Sequence, residues 1–225
     1  MKLYHYFRSS ASYRARIALN FKAIDWEAVP VDLRAPASAQ RTPEFLAFNP
    51  HGFVPVLVDG DNTITQSLAI VEYLEETSPQ PPLLPHSPAE RAQVRALALA
   101  IACDIHPLGN LRVLNYLRSA FQADEGAVNA WVGQWIARGF RALELDVQRS
   151  SGDGRHMFGA AVTLADVCIV PQMYNARRYQ CDLTPFPTLR AICAHLETLP
   201  AFAQAAPEAQ PGGRQLPDAM PPPTA

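Results

Sequence analysis

Arg8-Ser9-Ser10-Ala11-Ser12-Tyr13-Arg14-Ala15-Arg16 decides the fold, because of what flanks it. Before it, Leu3-Tyr4-His5-Tyr6-Phe7 has the aromatic content of a strand. After it, Ile17, Ala18 and Phe21 are spaced to bury one face of a helix over about residues 10–22. Residues 27–32, Glu27 to Asp32, read as a second strand, and Pro30 suits an edge or an irregular piece. Strand, helix and strand in this order predict a parallel βαβ unit.

The pattern continues outward. A loop rich in Ala, Ser and Pro leads to a short helix near 42–48. Val54-Pro55-Val56-Leu57-Val58 is a third strand, and Asp59-Gly60-Asp61-Asn62 a turn. Thr63-Ile64-Thr65 is a fourth strand. A helix starts at Ser67 and carries Ile70, Val71, Tyr73 and Leu74. The first domain, residues 1–78, is therefore β-α-β-α-β-β-α, a thioredoxin-like layout. A proline-rich linker over 79–87 marks the domain boundary. Residues 88–206 are helical in pattern. One long periodic stretch covers 88–119, and a second, anchored by Trp131, Trp135, Phe140 and Leu143, covers 125–149. Thr163-Leu164-Ala165-Asp166 has the spacing of a capping-box variant before a buried helix. A last helix is expected from about Pro187 to Leu199. The end, 207–225, is dominated by Pro, Gly, Gln and Ala and is expected to be disordered or loosely laid on the surface.

Composition narrows the function. An apolar fraction of 48% over 225 residues supports a real core. A net charge of -2 gives no general reason to expect nucleic acid or a membrane surface as partner. Lysine occurs only at Lys2 and Lys22, so an anion site will use guanidinium, which grips carboxylates bidentately. Cys103, Cys168, Cys181 and Cys193 form no CxxC pair and no zinc-type cluster with histidines. They read as buried small hydrophobes. The start lacks a signal peptide's apolar run, and no stretch reads as long enough to span a bilayer. The expectation is a soluble cytoplasmic protein with reduced thiols and no metal.

Several residues are suited to chemistry. A helix N-terminus presents unpaired N–H groups and partial positive charge, so Ser9 and Ser10 stand where an anion is stabilised. A serine there is equally an ordinary helix cap. The Val54-Pro55 bond, if cis, would turn the Val54 backbone toward a peptide-like ligand that pairs as an added strand. Gln66-Ser67 opens the next helix, where Ser67 either caps it or offers its N–H to a carboxylate. Asp104, His106 and Pro107 also fit ordinary packing near a helix end, and Asp166 reads as a structural capping carboxylate.

Longer strings carry a resemblance. Phe7 to Leu19, Gln66 to Glu76, Cys103-Asp104-Ile105-His106-Pro107 with Asn110-Leu111-Arg112, and Thr163 to Asp166 with Val170-Pro171-Gln172 resemble the zeta-class glutathione transferases. That family includes maleylacetoacetate and maleylpyruvate isomerases. The resemblance covers about residues 1–212. It implies an α+β two-domain glutathione transferase fold, a thioredoxin-like domain followed by an all-α bundle, and a homodimer. It implies glutathione as cofactor. Ser9, with Ser10 beside it, would polarise the sulfur. Val54 would pair with the cysteinyl backbone, Gln66 and Ser67 would hold the γ-glutamyl end, and Gln40 the glycyl end. Asp104, His106, Asn110 and Arg112 complete the implied cofactor-binding set, the last three on one long helix and facing the sulfur. Arg8 and Arg178 would join the catalytic set, Arg178 on a substrate carboxylate.

The implied substrate is a small anionic cis-enone, and the implied reaction is cis–trans isomerisation by thiolate addition, rotation and elimination. Maleylacetoacetate fits best, from Cys103 to Leu117 and Thr163 to Pro187. Maleylpyruvate is the alternative, and a general transferase for electrophiles such as α-haloacids the next. Ala11 stands where the family motif often has cysteine, so activities that need an enzyme thiol are not implied. A non-catalytic binding protein on this fold would lack the hydroxyl or the clamp, and Ser9, Gln66 and Ser67 are all present.

Overall fold

The structure is a computed structural model, and it describes residues 1–34 and 38–213. The chain divides into two compact units. Among the described residues the first is Met1–Pro82 together with 199–213, and the second is Leu83–Thr198.

The first unit holds a sheet in the order β2-β1-β3-β4. These strands are β1 (Lys2–His5), β2 (Glu27–Pro30), β3 (Val56–Asp59) and β4 (Asn62–Thr65). β1 and β2 are parallel, with His5 opposite Pro30, as the strand-helix-strand order requires. Pro30 lacks an N–H to give a ladder, which is tolerable because β2 is an edge. β1 pairs antiparallel with β3, and β3 with β4. Gly60, at φ +57°, makes the tight turn of that hairpin. Helices α1 (Ser10–Phe21), α2 (Pro43–Phe48) and α3 (Ser67–Thr77) complete the unit's first chain segment. α1 buries Ile17, Ala18 and Leu19 completely, and α3 buries Ile70 and Leu74. Behind the sheet Lys22 is wholly buried against Glu75 at 2.8 Å and donates to the Ser78 and Pro81 carbonyls.

The second unit is helical: α4 (Pro88–Leu99), α5 (Leu111–Phe121), α6 (Glu125–Ser150), α7 (Leu164–Arg178) and α8 (Pro187–Leu196). α7 is central, with every residue from Leu164 to Met173 buried. A helix buried on all sides belongs inside a bundle, and α7 packs against α4 and α8. Its start is the expected capping box, and Asp166 is wholly buried. Asp166 accepts from Thr163 N, Thr163 Oγ1 and Met157 N, so one carboxylate ties the helix start to the loop before it.

Several expectations change. The stretch 88–119 is not one helix. After Leu99 the backbone widens into a π segment, Ala100–Ile105, then tightens into a 3₁₀ turn, His106–Gly109, before α5 begins. Pro107 removes a helical donor there. Contrary to expectation, Pro88–Phe121 has the length and apolarity of a membrane span, yet it is broken in this way and buries Val94, Ile101, Ile105 and Leu114. The last helix stops at Leu196, and α9 (Pro200–Ala205), expected within the helical domain, belongs to the first unit. The end is not loose as far as Gly213: Pro207 and Gln210 are buried, and Gln210 donates to the Gln204 and Ala206 carbonyls. The rest of the expected tail lies outside the described residues. Only Cys168 and Cys193 are fully buried; Cys181 is half-buried and Cys103 exposed.

Candidate functional site

Strand register gathers the first unit's candidates. Tyr4 lies opposite Val56, and Val56 opposite Thr65. The end of β1, the start of β3 and the end of β4 therefore share one end of the sheet. Ser9 follows β1, Val54 precedes β3 and Gln66-Ser67 follows β4, so the fold delivers all of them to that end. Gln40 lies in a 3₁₀ turn, Ala39–Arg41, further along the chain from β2, whose own end is at His5–Pro30.

Ser9 is the N-cap of α1, in extended backbone at φ -71°, ψ 120°. Its Oγ accepts from Ser12 N at 3.2 Å. That bond uses an oxygen lone pair and leaves the hydroxyl hydrogen to donate. Ser10 is buried behind it, and Ser12, also buried, accepts from Tyr6 N at 3.5 Å. Arg8 is half-buried, its guanidinium 5.5 Å from the Phe7 ring centre.

Val54 is buried, and its bond to Pro55 is cis, the isomer that the sequence left open. Gln66 has φ +70°, an uncommon conformation for a residue with a side chain, and its side chain is exposed at the head of α3. Ser67 is buried and accepts from Arg14 Nη1 at 3.5 Å, which ties α1 to the first turn of α3. Gln40 is buried, and its Oε1 has no hydrogen-bond partner among the described residues. A buried amide in that state is suited to a polar ligand group.

These residues fit a γ-glutamyl peptide thiol. Two helix starts offer N–H groups to anions, a free hydroxyl hydrogen stands at one of them, and an orphaned amide oxygen lies in the loop after β2.

In the second unit Cys103, Asp104 and His106 lie on the π and 3₁₀ segment, not on a regular helix as expected. Cys103 and Asp104 are exposed and His106 half-buried. α6 holds this segment: Trp131 Nε1 donates to the Leu108 carbonyl at 2.8 Å, and Gly139 lets Ile105 lie directly on the α6 backbone. Asn110 is the N-cap of α5, and its Oδ1 accepts from Arg112 N at 3.2 Å. Arg112 is exposed in the first turn. Arg178 is exposed at the end of α7, its guanidinium 5.2 Å from the Tyr179 ring centre. No cluster of His, Cys, Asp and Glu suited to a metal occurs among the described residues.

The sequence reading missed Arg16 and His5. Arg16 is wholly buried, and burial brings its pKa down to about 10, so it stays charged at neutral pH. It donates to the carbonyls of Phe7 and Ala205, each at 2.9 Å, and of Tyr6 at 3.4 Å. His5, 3.3 Å from Arg16 through Nδ1, is held down to about 4 by burial and then by that charge.

Comparison with known proteins agrees with this geometry. Residues 3–82 match the family model "Glutathione S-transferase, N-terminal domain". A probable maleylacetoacetate isomerase of Vibrio cholerae is 49% identical over 209 residues, covering 93% of this chain and 96% of that protein. The holo structure of a maleylpyruvate isomerase, described as a bacterial zeta-class glutathione S-transferase, is 47% identical with a TM-score of 0.90, covering 98% of this chain and 100% of that one. The maleylacetoacetate isomerase of Methylobacterium extorquens AM1, solved with bound malonate and glutathione, is 40% identical with a TM-score of 0.89, covering 94% and 99%.

Proposed function

The chain belongs to the zeta-class glutathione transferase family, and we propose that it is a glutathione-dependent cis–trans isomerase whose substrate is maleylacetoacetate. The observation that carries the reading is Ser9, an N-cap whose hydroxyl hydrogen is left over from its bond to Ser12. Relatives named for maleylacetoacetate and for maleylpyruvate lie equally near, which keeps maleylpyruvate as the second substrate reading.

Bound glutathione would supply a thiolate nucleophile capable of reversible addition to a conjugated alkene, which frees that bond to rotate. Everything else falls to the chain. Ser9 donates its hydroxyl hydrogen to the sulfur, and the start of α1 adds its partial positive charge, so the thiol ionises near neutral pH. Ser10, buried at the first position of α1, stands beside Ser9 at the sulfur. The Val54 backbone pairs with the cysteinyl residue, Gln66 and Ser67 take the γ-glutamyl end, and the Gln40 amide takes the glycyl end. Asp104, His106 and Asn110 are assigned to the same cofactor. Arg8, Arg112 and Arg178 bind the carboxylates of a dianionic substrate and offset charge that develops on its carbonyl oxygen. All cysteines are free thiols, which suits a reducing cytoplasm. The working form is a homodimer.

The test is an ultraviolet assay of the purified protein on maleylacetoacetate and maleylpyruvate, with and without glutathione. Conversion to the fumaryl isomers only with glutathione supports the reading, and the ratio of kcat/KM values assigns the substrate. Turnover of α-haloacids without turnover of either maleyl compound would move the function to conjugation.

A further inference from the structure

The reaction gives no work to the most deeply buried cation of the first unit. Arg16 sits in the middle of α1, wholly inside, and most of what it touches is backbone. Nη2 donates to the Phe7 carbonyl at 2.9 Å, and Nη1 to the Tyr6 carbonyl at 3.4 Å. The Tyr6 carbonyl also accepts from Ser9 N at 3.1 Å. The turn from Tyr6 to Ser9 is thus gripped from beneath by a planar fork with fixed donor directions.

The other side of the fork reaches the far end of the chain. Nε donates at 2.9 Å to the Ala205 carbonyl at the end of α9. This carbonyl belongs to the last turn of a helix and has no partner within it. Two more α1 side chains reach the same segment: Tyr13 Oη donates to the Phe202 carbonyl and Asn20 Nδ2 to the Ala201 carbonyl, each at 3.3 Å. Beyond α9, Gly212 turns at φ +87°, where an added Cβ would lie 3.7 Å from the Phe7 ring. The arm from Leu199 to Gly213 therefore backs the turn that presents Ser9. A buried guanidinium is costly to desolvate and is retained only where carbonyls or carboxylates meet it. Here carbonyls do, and two of them frame the approach to Ser9.

We propose that Arg16 is a positioning residue for Ser9: anchored on the Ala205 carbonyl of the C-terminal arm, it fixes the Tyr6–Ser9 turn and so sets where the Ser9 hydroxyl points. The proposal rests on the reading that Ser9 polarises the glutathione sulfur. Arg16 itself touches no reacting atom. A lysine in its place keeps a charge but loses the planar fork and its fixed donor directions.

The readout is the thiol pKa of enzyme-bound glutathione, followed by thiolate absorbance against pH. Wild type, Ser9→Ala and Arg16→Lys are titrated in parallel, with S-methylglutathione affinity as control. Wild type should lower the thiol pKa, and Ser9→Ala should abolish the lowering. In Arg16→Lys the bound thiol's pKa should rise by about one, with kcat/KM near neutral pH falling about tenfold and S-methylglutathione affinity changing less than threefold. A residue that only stabilised the fold would reduce the amount of folded protein and leave the pKa of the bound thiol unmoved. An Arg16→Lys protein that titrates like wild type overturns the proposal. If wild type does not lower the pKa, or Ser9→Ala still does, the reading of Ser9 fails and the proposal with it. If Arg16→Lys does not fold, Tyr13→Phe combined with Asn20→Ala loosens the arm with Arg16 intact. The thiol pKa should then rise in the same direction, and an unchanged value overturns the proposal.

Discussion

Ser9 has two uses of one oxygen. Its lone pair caps α1, and its hydrogen is left for a ligand. Replacing it with alanine removes both, and the two losses differ in size. Losing a cap costs about 1 kcal/mol, whereas losing a donor to a developing anion costs on the order of 10²-fold in turnover. Ser9→Ala should therefore melt within a few degrees of wild type while kcat falls about a hundredfold. A melting scan and the isomerase assay check both, and near-normal turnover would remove Ser9 from the reaction. His5 makes a second residue-scale case. Burial, with help from Arg16, holds its pKa at about 4 against an ordinary 6.5. The folded protein keeps His5 neutral where the unfolded chain would protonate it. The stability contributed by neutral His5 is complete above pH 6.5 and is lost as pH falls toward 4, by up to about 3 kcal/mol. His5→Asn keeps an acceptor for Arg16 that does not titrate. Its urea midpoint should fall less than that of wild type between pH 6.5 and pH 4, and parallel pH curves would refute the assignment. The serines were legible because caps are local chemistry. Arg16 and His5 were not, because nothing local says that a cation lies inside.

Elements were legible where their own period decided them. The βαβ start, the β3–β4 turn, the long α6 and the Thr163–Asp166 cap all follow from short-range patterns. The break after Leu99 does not, since Ala100 to Ile105 continues a helical periodicity. Pro107 accounts for the 3₁₀ turn, but the π widening before it goes with a tertiary contact. Ile105 lies on the α6 backbone at Gly139, where an added Cβ would fall on its Cδ1 and Cγ1. A helix crossing this close requires a glycine. Gly139→Ala gains about 1 kcal/mol of helix propensity but forces Ile105 aside, at about 1–3 kcal/mol. The net result should be a lower melting temperature and, because His106 adjoins Ile105, weaker binding of glutathione. Adding Ile105→Ala removes the clash, so the double variant should melt no lower than Ile105→Ala alone. If Gly139→Ala melts at or above wild type, the close packing is not what shapes this segment.

At the scale of the whole molecule, the order of the chain and the order of its packing disagree. Proline density marks a linker over residues 79–87, and the chain passes from the first unit to the second after Pro82. Nothing in the sequence marks the return at Leu199, because α9 looks like one more short helix after several. Its partners are side chains of α1, far away in sequence: Tyr13, Arg16 and Asn20 donate to its carbonyls. Phe202 is fully buried within the first unit, and Ala205 beside it. The thioredoxin-like layout is therefore complete as a list of elements by Thr77 but not as a packed body. A chain ending at Thr198 would lose Phe202, worth about 3–5 kcal/mol by itself. It would also leave the Arg16 charge without its Ala205 carbonyl. Against a typical total stability of about 5–15 kcal/mol, that is a large share. Such a chain should melt at least about 10 °C below the full protein. Early protease cuts should fall within residues 1–82, while α7, enclosed by the helices of its own unit, stays protected. Circular dichroism with limited proteolysis decides the matter. Equal melting temperatures would mean that the arm only rests on α1, and the first unit would then be a body that its own eighty-two residues can build.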